Sequence, residues 1–380
     1  MIVFNKKPIK IRIFAKHKNT ILHHRKSMSR HFLFFCSHGY AIPILRPLET
    51  EIKKRGDNVA WFLEPTCSDE SLNDSDLILK TKKEVKQWNP EAVFAPGIYI
   101  YDFFPGIKVE LFHGYPIYKR GGTKETHFKI RGWFDIYMTG GPSSTEIYKE
   151  LEKKCGHFKA YETGWAKVDT IVKAKRQAEE NSPKDHTTTI FVSTTFSDKV
   201  TQLRRCLPAI KKLSETRNWN WIITMHPKLD DPQLRKELTE LDKTHDNVTF
   251  MPITPDAFVM AQTDVMLCDA SSIILEYMML DKPVVTVCNT TPGPHLIDVK
   301  TPEEIEQAIE TALTRPPQLM SAINDYIDKH EAFRDGHNCE RIMDAVDDFI
   351  KNYKGKLKRK PLNLFRKLKL RRKLLTHSKS

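Results

Sequence analysis

From residue 32 onward the chain repeats one pattern. A short apolar run meets a turn of small or polar residues, and a longer segment with helically spaced apolar residues follows. The runs HFLFFCSHG and NVAWFLE bracket a helix predicted over AIPILRPLETEIKKRG, closed by Gly56. Further strands are predicted at EAVFAPG, KVELFHG, DIYMTGG and KAYETGW. After a polar stretch, AKRQAEENSPKDH, the alternation restarts at TTTIFVSTTFSD. It continues through the helix VTQLRRCLPAIKKLSETR and the strands NWIITMHP, VTFMP, DVMLCDASS and PVVTVCN. Strands alternating with helices of this length predict parallel sheets covered on both faces, and two such series, joined near 175–187, predict two Rossmann-like domains. No internal repeat of short fixed period is present.

The polar residues share an address. Strand after strand ends in a small or reactive group: Ser37-His38-Gly39, Pro96-Gly97, His113-Gly114, Thr139-Gly140-Gly141, Ser193-Thr194-Thr195, His226-Pro227, Asp269. In open parallel sheets ligands bind at the carboxyl ends of the strands. The expected architecture is therefore α/β and GT-B-like, with two Rossmann-like domains whose mostly parallel sheets face a central cleft, plus a basic amphipathic C-terminal tail. The expected division is a basic extension at 1–31, an acceptor-side domain at 32–175, a nucleotide-donor domain at 186–350 and a membrane-surface tail at 351–380.

Charge sharpens this division. The chain of 380 residues carries +13, yet residues 1–31 hold nine Lys and Arg and no acid, and residues 351–380 hold thirteen and no acid. The body between them has 39 basic against 48 acidic residues, a net of −9. Charge concentrated at two ends marks where an anionic surface is met. In the tail, Leu357, Leu364, Leu368 and Leu375 fall on one helical stripe with Phe365 beside it, the pattern of an interfacial membrane helix; a solvated basic tail is the alternative. Nucleic acid is not an expected partner, because the body is acidic and helix-turn-helix, zinc-finger and RNP signatures are absent from the sequence. Seven cysteines without Cys-x-x-Cys pairs read as thiols of a reducing compartment, and no apolar run approaches a membrane span. A cytoplasmic chain, peripheral on the inner face of the membrane, is expected.

Two stretches carry most of the candidate chemistry. In LCDASSIILEY, Asp269 ends a strand and Ser271-Ser272 precede an apolar helix, so the free N–H groups there would suit a diphosphate. Glu276, about one turn further, could accept hydrogen bonds from ribose hydroxyls. The plainer reading is a helix cap and a surface glutamate. In FHGYPIYKRGG, His113 ends a strand beside Gly114, with Lys119 following; a histidine can take a proton near neutral pH, and a satisfied structural histidine is the alternative. His226 is a second strand-end histidine, Lys167 and Asp169 follow the Thr163-Gly164 turn, and Arg341 follows Asp335-Gly336. Metal-site spacing is absent from the sequence, and neither metal nor cofactor is expected.

These stretches together resemble the CDP-glycerol glycerophosphotransferase family, the teichoic-acid primases and polymerases, over roughly residues 90–345. The matching motifs, in order, are His113-Gly114 with Lys119; Thr163-Gly164 with Lys167 and Asp169; His226-Pro227; Asp269, Ser271, Ser272 and Glu276; and Asp335-Gly336 with Arg341. Where that family usually has an arginine closing the first strand of its second domain, this chain reads Val192 to Ser197 without one. The resemblance implies a GT-B enzyme that moves glycerol phosphate from CDP-glycerol to a hydroxyl of a lipid-linked glycan or polymer, releasing CMP. In that scheme His113 is the base, His226 steadies the transferring phosphate, Ser271 and Ser272 hold the diphosphate, and Glu276 holds the ribose. Two other readings stand beside it: a GT-B glycosyltransferase using a nucleotide sugar, and a non-catalytic protein binding membrane or polyanion.

Overall fold

In a computed structural model, the described residues are 29–65, 67–115, 128–181, 185–196, 200–226, 228–253 and 256–377, with side chains as far as 372. The strands are β1 (His31–Cys36), β2 (Asn58–Leu63), β3 (Ala92–Ala95), β4 (Ile107–Glu110), β5 (Ile136–Thr139), β6 (Lys159–Glu162), β7 (Thr189–Val192), β8 (Asn220–Thr224), β9 (Val248–Met251), β10 (Val265–Cys268), β11 (Val284–Val287) and β12 (Ile297–Val299). They form two six-stranded sheets, ordered β2-β1-β3-β4-β5-β6 and β12-β11-β10-β7-β8-β9. Every pairing is parallel. The expected pair of parallel α/β sheets is present.

The helices are α1 (Ala41–Lys54), α2 (Lys82–Trp88), α3 (Pro142–Cys155), α4 (Val168–Glu180), α5 (Leu203–Thr216), α6 (Pro232–Thr244), α7 (Ala257–Ala261), α8 (Ile273–Met278), α9 (Ile305–Leu313), α10 (Pro317–His330), α11 (Asn338–Asn352) and α12 (Leu364–His377). β1 shows why the sheets are sandwiched by helices. Phe32 and Phe34 point into one apolar cluster, while Leu33 and Phe35 point into another on the opposite face. A strand buried on both faces reads as a continuous apolar run, as this one does.

The last two helices of the body return to the first sheet. α11 buries Ile342, Met343, Val346 and Phe349 and packs on α1, α4 and β5; α10 packs on α3 and α8. Residues 317–352 thus follow the second sheet in sequence but cover the first in space, because their apolar stripes match α1 and α3. The central core cluster accordingly runs from Phe32, Phe94 and Val109 through α4 and α8 to Phe191 and Met266 of the second sheet.

The tail differs from the expected single stripe. α12 begins at Leu364, so Leu357 lies before it and packs against the core instead; the side chain of Leu375 lies outside the described residues. Lys360 pairs with Asp135 at 2.7 Å, and Arg371 pairs with Asp102 at 2.6 Å, which seats the tail on the first sheet's side. Among the described residues, no helix is long and apolar enough to cross a membrane.

Candidate active site at the facing strand ends

The first wall is built at the exit of β4. Phe112 adopts φ +54°, a left-handed backbone that a bulky side chain rarely takes, and its carbonyl accepts from Trp165 Nε1 at 3.2 Å. That turn brings His113 out of the sheet and toward the cleft. Its ring centroid lies 5.3 Å from that of Tyr40, which in turn stacks on His38 at 5.3 Å. Loss of solvation, and then the nearby His38, lower the His113 pKa below the ordinary histidine value. Its imidazole is therefore neutral at pH 7 and free to accept a proton.

The second wall comes from three strand ends of the other sheet. Asp269 follows β10 and is 2% exposed. It accepts from Thr194 Oγ1 at 2.5 Å, from the Thr195 N–H at 3.0 Å and from its neighbour Ala270 N–H at 2.6 Å. Burial raises its pKa while these donors oppose the shift. His226 follows β8; its Nδ1 accepts from the Lys228 N–H at 3.1 Å, and its ring lies 4.7 Å from Phe196. With Nδ1 occupied as an acceptor, the neutral ring carries its proton on Nε2. His113 is thus suited to accept a proton, and His226 to donate a hydrogen bond.

The two walls enclose one cavity of about 510 Å³, lined by His113, Gly114, His226, Ser271 and Ser272 together with Thr195 and Phe196. Beside it Lys167 Nζ and Glu276 Oε2 pair at 2.6 Å, joining the residue that precedes α4 to α8, with side chains 23% and 12% exposed. Behind Tyr115, whose hydroxyl donates to Glu331 at 2.5 Å, lies a buried polar knot. Glu331 also accepts from the Trp165 N–H and from Asn338 Nδ2, and burial pushes its carboxyl up to about 8.

The predicted site residues therefore separate. His113, Gly114, His226, Ser271 and Ser272 share the cavity. Lys167 and Glu276 adjoin it, spending part of their charge on each other. Asp269 belongs instead to the wall's interior, because its oxygens are taken by Thr194 and Thr195 of the loop after β7 and by the neighbouring Ala270 N–H; it ties those two strand ends together and has little left for a ligand. Arg341 does not line the cavity: it pairs with Asp335 at 2.8 Å and lies 3.9 Å over the Phe333 ring. Lys119 lies outside the described residues, as does Pro227.

Two of the five motifs meet each other rather than the cavity. Asp169 accepts from the backbone N–H groups of Asn338 and Cys339, both at 2.8 Å, and so caps α11. Gly164 has φ +74°, and a Cβ there would stand 2.3 Å from both Glu331 and Asn338.

Ser272 stands at the start of α8 without a side-chain capping bond, and α8 is only six residues long. An anion at this point would rest on hydroxyls and local N–H groups more than on a helix dipole.

Sequence reasoning missed Glu110, Tyr115 and Glu331. Each sits in or beside an apolar run, where a single polar letter carries no periodic signal. Among the described residues, no group of three or more His, Cys, Asp or Glu side chains could hold a metal ion.

A search of curated proteins by sequence found no match. Solved structures match the fold. The wall teichoic acid polymerase TagF is 14% identical, with 85% of this chain and 89% of that chain covered at a TM-score of 0.60; a variant of it was also solved after a CDPG soak. A putative UDP-N-acetylglucosamine 2-epimerase from Listeria monocytogenes is 13% identical, with 85% and 97% covered at 0.58. S. aureus MnaA, solved with UDP, is 12% identical, with 86% and 98% covered at 0.55. These likenesses establish a GT-B fold. The family model that matches is that of UDP-N-acetylglucosamine 2-epimerase, over residues 146–347, and it is not the CDP-glycerol transferase family that the motifs resemble. Because that match spans more than half of the sequence, with α4 and the whole second sheet inside it, the chain belongs to the UDP-N-acetylglucosamine 2-epimerase family.

Proposed function

We propose that this GT-B enzyme takes a nucleoside-diphosphate-activated substrate in the cleft and transfers glycerol phosphate from CDP-glycerol to an acceptor hydroxyl, releasing CMP. The observation that carries this reading is the placement of His113 and His226 on opposite walls of one cavity, with complementary proton states. The acceptor hydroxyl gives its proton to His113 as its oxygen attacks the phosphorus that bears glycerol. The bond from that phosphorus to the bridging oxygen breaks, and the electron pair leaves on CMP. Such transfer depends on positioning and charge neutralisation, which His226 Nε2–H and the Ser271 and Ser272 hydroxyls supply. Glu276 keeps its second oxygen for ribose hydroxyls, with Lys167 holding the first.

A lipid-linked glycan fits as acceptor, because the tail carries a basic surface with exposed apolar residues on the first sheet's side. α12 carries no acid and leaves Leu364 at 61%, Phe365 at 90% and Leu368 at 56% exposure, while Asn363, just before it, bonds the carbonyl of the cavity residue Arg131. A basic helix with exposed apolar residues suits an anionic leaflet, which supports a peripheral position on the inner face of the membrane.

The family model favours a second reading, inversion at C2 of a UDP-linked amino sugar. Incubating the purified chain separately with CDP-glycerol plus acceptor membranes and with UDP-N-acetylglucosamine separates the two. CMP release from the first is the expected result. Appearance of the C2 epimer by proton NMR without any CMP would overturn the transfer reading.

A further inference from the structure

Part of the cavity wall on the first sheet's side belongs to neither strand nor helix. Phe128, Lys129, Arg131 and Phe134 line the cavity from the irregular stretch 128–135 that leads into β5. A stretch without a ladder must find partners for its carbonyls elsewhere. Those of Arg131 and Trp133 find them in the tail. Asn363 Nδ2 donates to the Arg131 carbonyl at 2.8 Å, Arg366 Nη1 donates to the same oxygen at 3.3 Å, and Lys360 Nζ donates to the Trp133 carbonyl at 3.0 Å. Between the two carbonyls Gly132 has φ +72°, and a Cβ there would stand 2.9 Å from Pro361 Cδ, so the tail lies directly on this backbone.

Two features make this more than a docked tail. Its bonds go to the backbone of a stretch whose side chains form the cavity wall, although no tail residue among those described lines the cavity itself. Asn363 also adopts φ +51°, a left-handed backbone that asparagine tolerates better than most residues, at the turn into α12. On the far side of that turn Arg371 holds Asp102, and Leu370 packs against the apolar cluster that contains Phe128 and Phe134.

We propose that Asn363, supported by Lys360 and Arg366, is a positioning residue for the cavity. It fixes the backbone at Arg131 and Trp133, and so the wall against which a substrate is held on the first sheet's side. Misplacing such a wall by about 1 Å can cost on the order of 10²-fold in rate. The effect on turnover rests on the transfer reading above, with the acceptor on that side; the brace itself does not.

The variant Asn363→Asp tests it on the full chain. Aspartate keeps the size and the tolerance of left-handed backbone, but its carboxylate only accepts hydrogen bonds and cannot hold a carbonyl. Hydrogen exchange followed by mass spectrometry should quicken roughly fivefold in peptides spanning 128–135, the worth of one net hydrogen bond. Exchange in β1 to β4 and the melting temperature should not change. In CMP-release assays the KM for acceptor membranes should rise at least fivefold, with kcat and the KM for CDP-glycerol within twofold of wild type. Unchanged exchange in 128–135 would overturn the brace. Faster exchange with an unchanged acceptor KM would reduce the tail to a structural tie and overturn the positioning role. Absence of CMP release from wild type would sink the transfer reading and leave exchange to decide the brace. If Asn363→Asp fails to fold, Arg366→Met removes the second bond to the same carbonyl, with faster exchange in the same peptides expected and unchanged exchange overturning the proposal.

Discussion

His113 and Glu110 stand three residues apart on one strand exit, yet only the first could be read from sequence. A histidine beside a glycine at the end of an apolar run already has the address of a ligand-binding residue. A glutamate closing a short strand looks the same whether it meets water or a cavity, because the distinction depends on what packs over it. At this scale the histidine carries a sharp expectation. Replacing His113 by Ala should lower kcat/KM for CMP release by about 10² to 10⁴, the usual worth of a positioned base, with circular dichroism unchanged. Its pKa is depressed, so the neutral form persists below the ordinary value of 6.5. The acid limb of kcat/KM should therefore lie below pH 6.5 in wild type and vanish in the variant. Near-normal turnover in His113→Ala would remove it from the base role. Asp269 was legible as a strand-end acid but not as an internal brace. Its ligands, the hydroxyl of Thr194 and the N–H of Thr195, arrive from a loop more than seventy residues away in sequence.

The tail is the element in which composition and structure divide most clearly. Thirteen basic residues and no acid after position 350 are visible in the sequence, and so is helical spacing of leucine. Where the helix begins is a tertiary matter: Leu357 finds the core, and Asp102 and Asp135 fix the basic side chains that follow. What remains outward is Leu364, Phe365 and Leu368. Burying one such side chain in a membrane interface is worth about 1.5–3 kcal/mol. The double variant Phe365→Asp, Leu368→Asp should therefore bind phosphatidylglycerol vesicles at least tenfold more weakly in a sedimentation assay, with its melting temperature unchanged. Wild-type binding should also weaken as salt is raised. Undiminished vesicle binding by the double variant would show that α12 is not the membrane contact.

Across the whole molecule, the β11–β12 loop of the second sheet is stitched to α10, and α10 to α3. His295 stacks on Tyr326 at 3.8 Å, Tyr326 meets His330 at 4.7 Å, and His330 Nδ1 bonds Ser143 Oγ at 3.0 Å. Burial, helped by Lys329, lowers the His330 pKa from 6.5 to about 4. A depressed folded-state value means the unfolded chain takes up the proton first. The stabilising contribution is present above pH 6.5 and is lost as pH falls through about 4. Urea midpoints measured from pH 7 to pH 4 should fall more steeply for wild type than for His330→Gln. Parallel curves would exclude this joint as an acid-sensitive tie.

Local pattern determined the two parallel sheets, the strand ends that carry chemistry and the charged tail, because alternation of apolar runs with amphipathic helices and the loss of acids are properties of neighbouring residues. Tertiary structure alone decided which strand ends share a cavity, that the motifs around Asp169 and Arg341 brace α11 instead of lining the site, and that residues 317–352 cover the first sheet. It also decided that Glu110 faces an aromatic chamber with no hydrogen-bonding partner among the described residues. Those outcomes follow from contacts between residues tens to hundreds of positions apart, and the energy of such contacts is set by burial and complementarity that no local window contains.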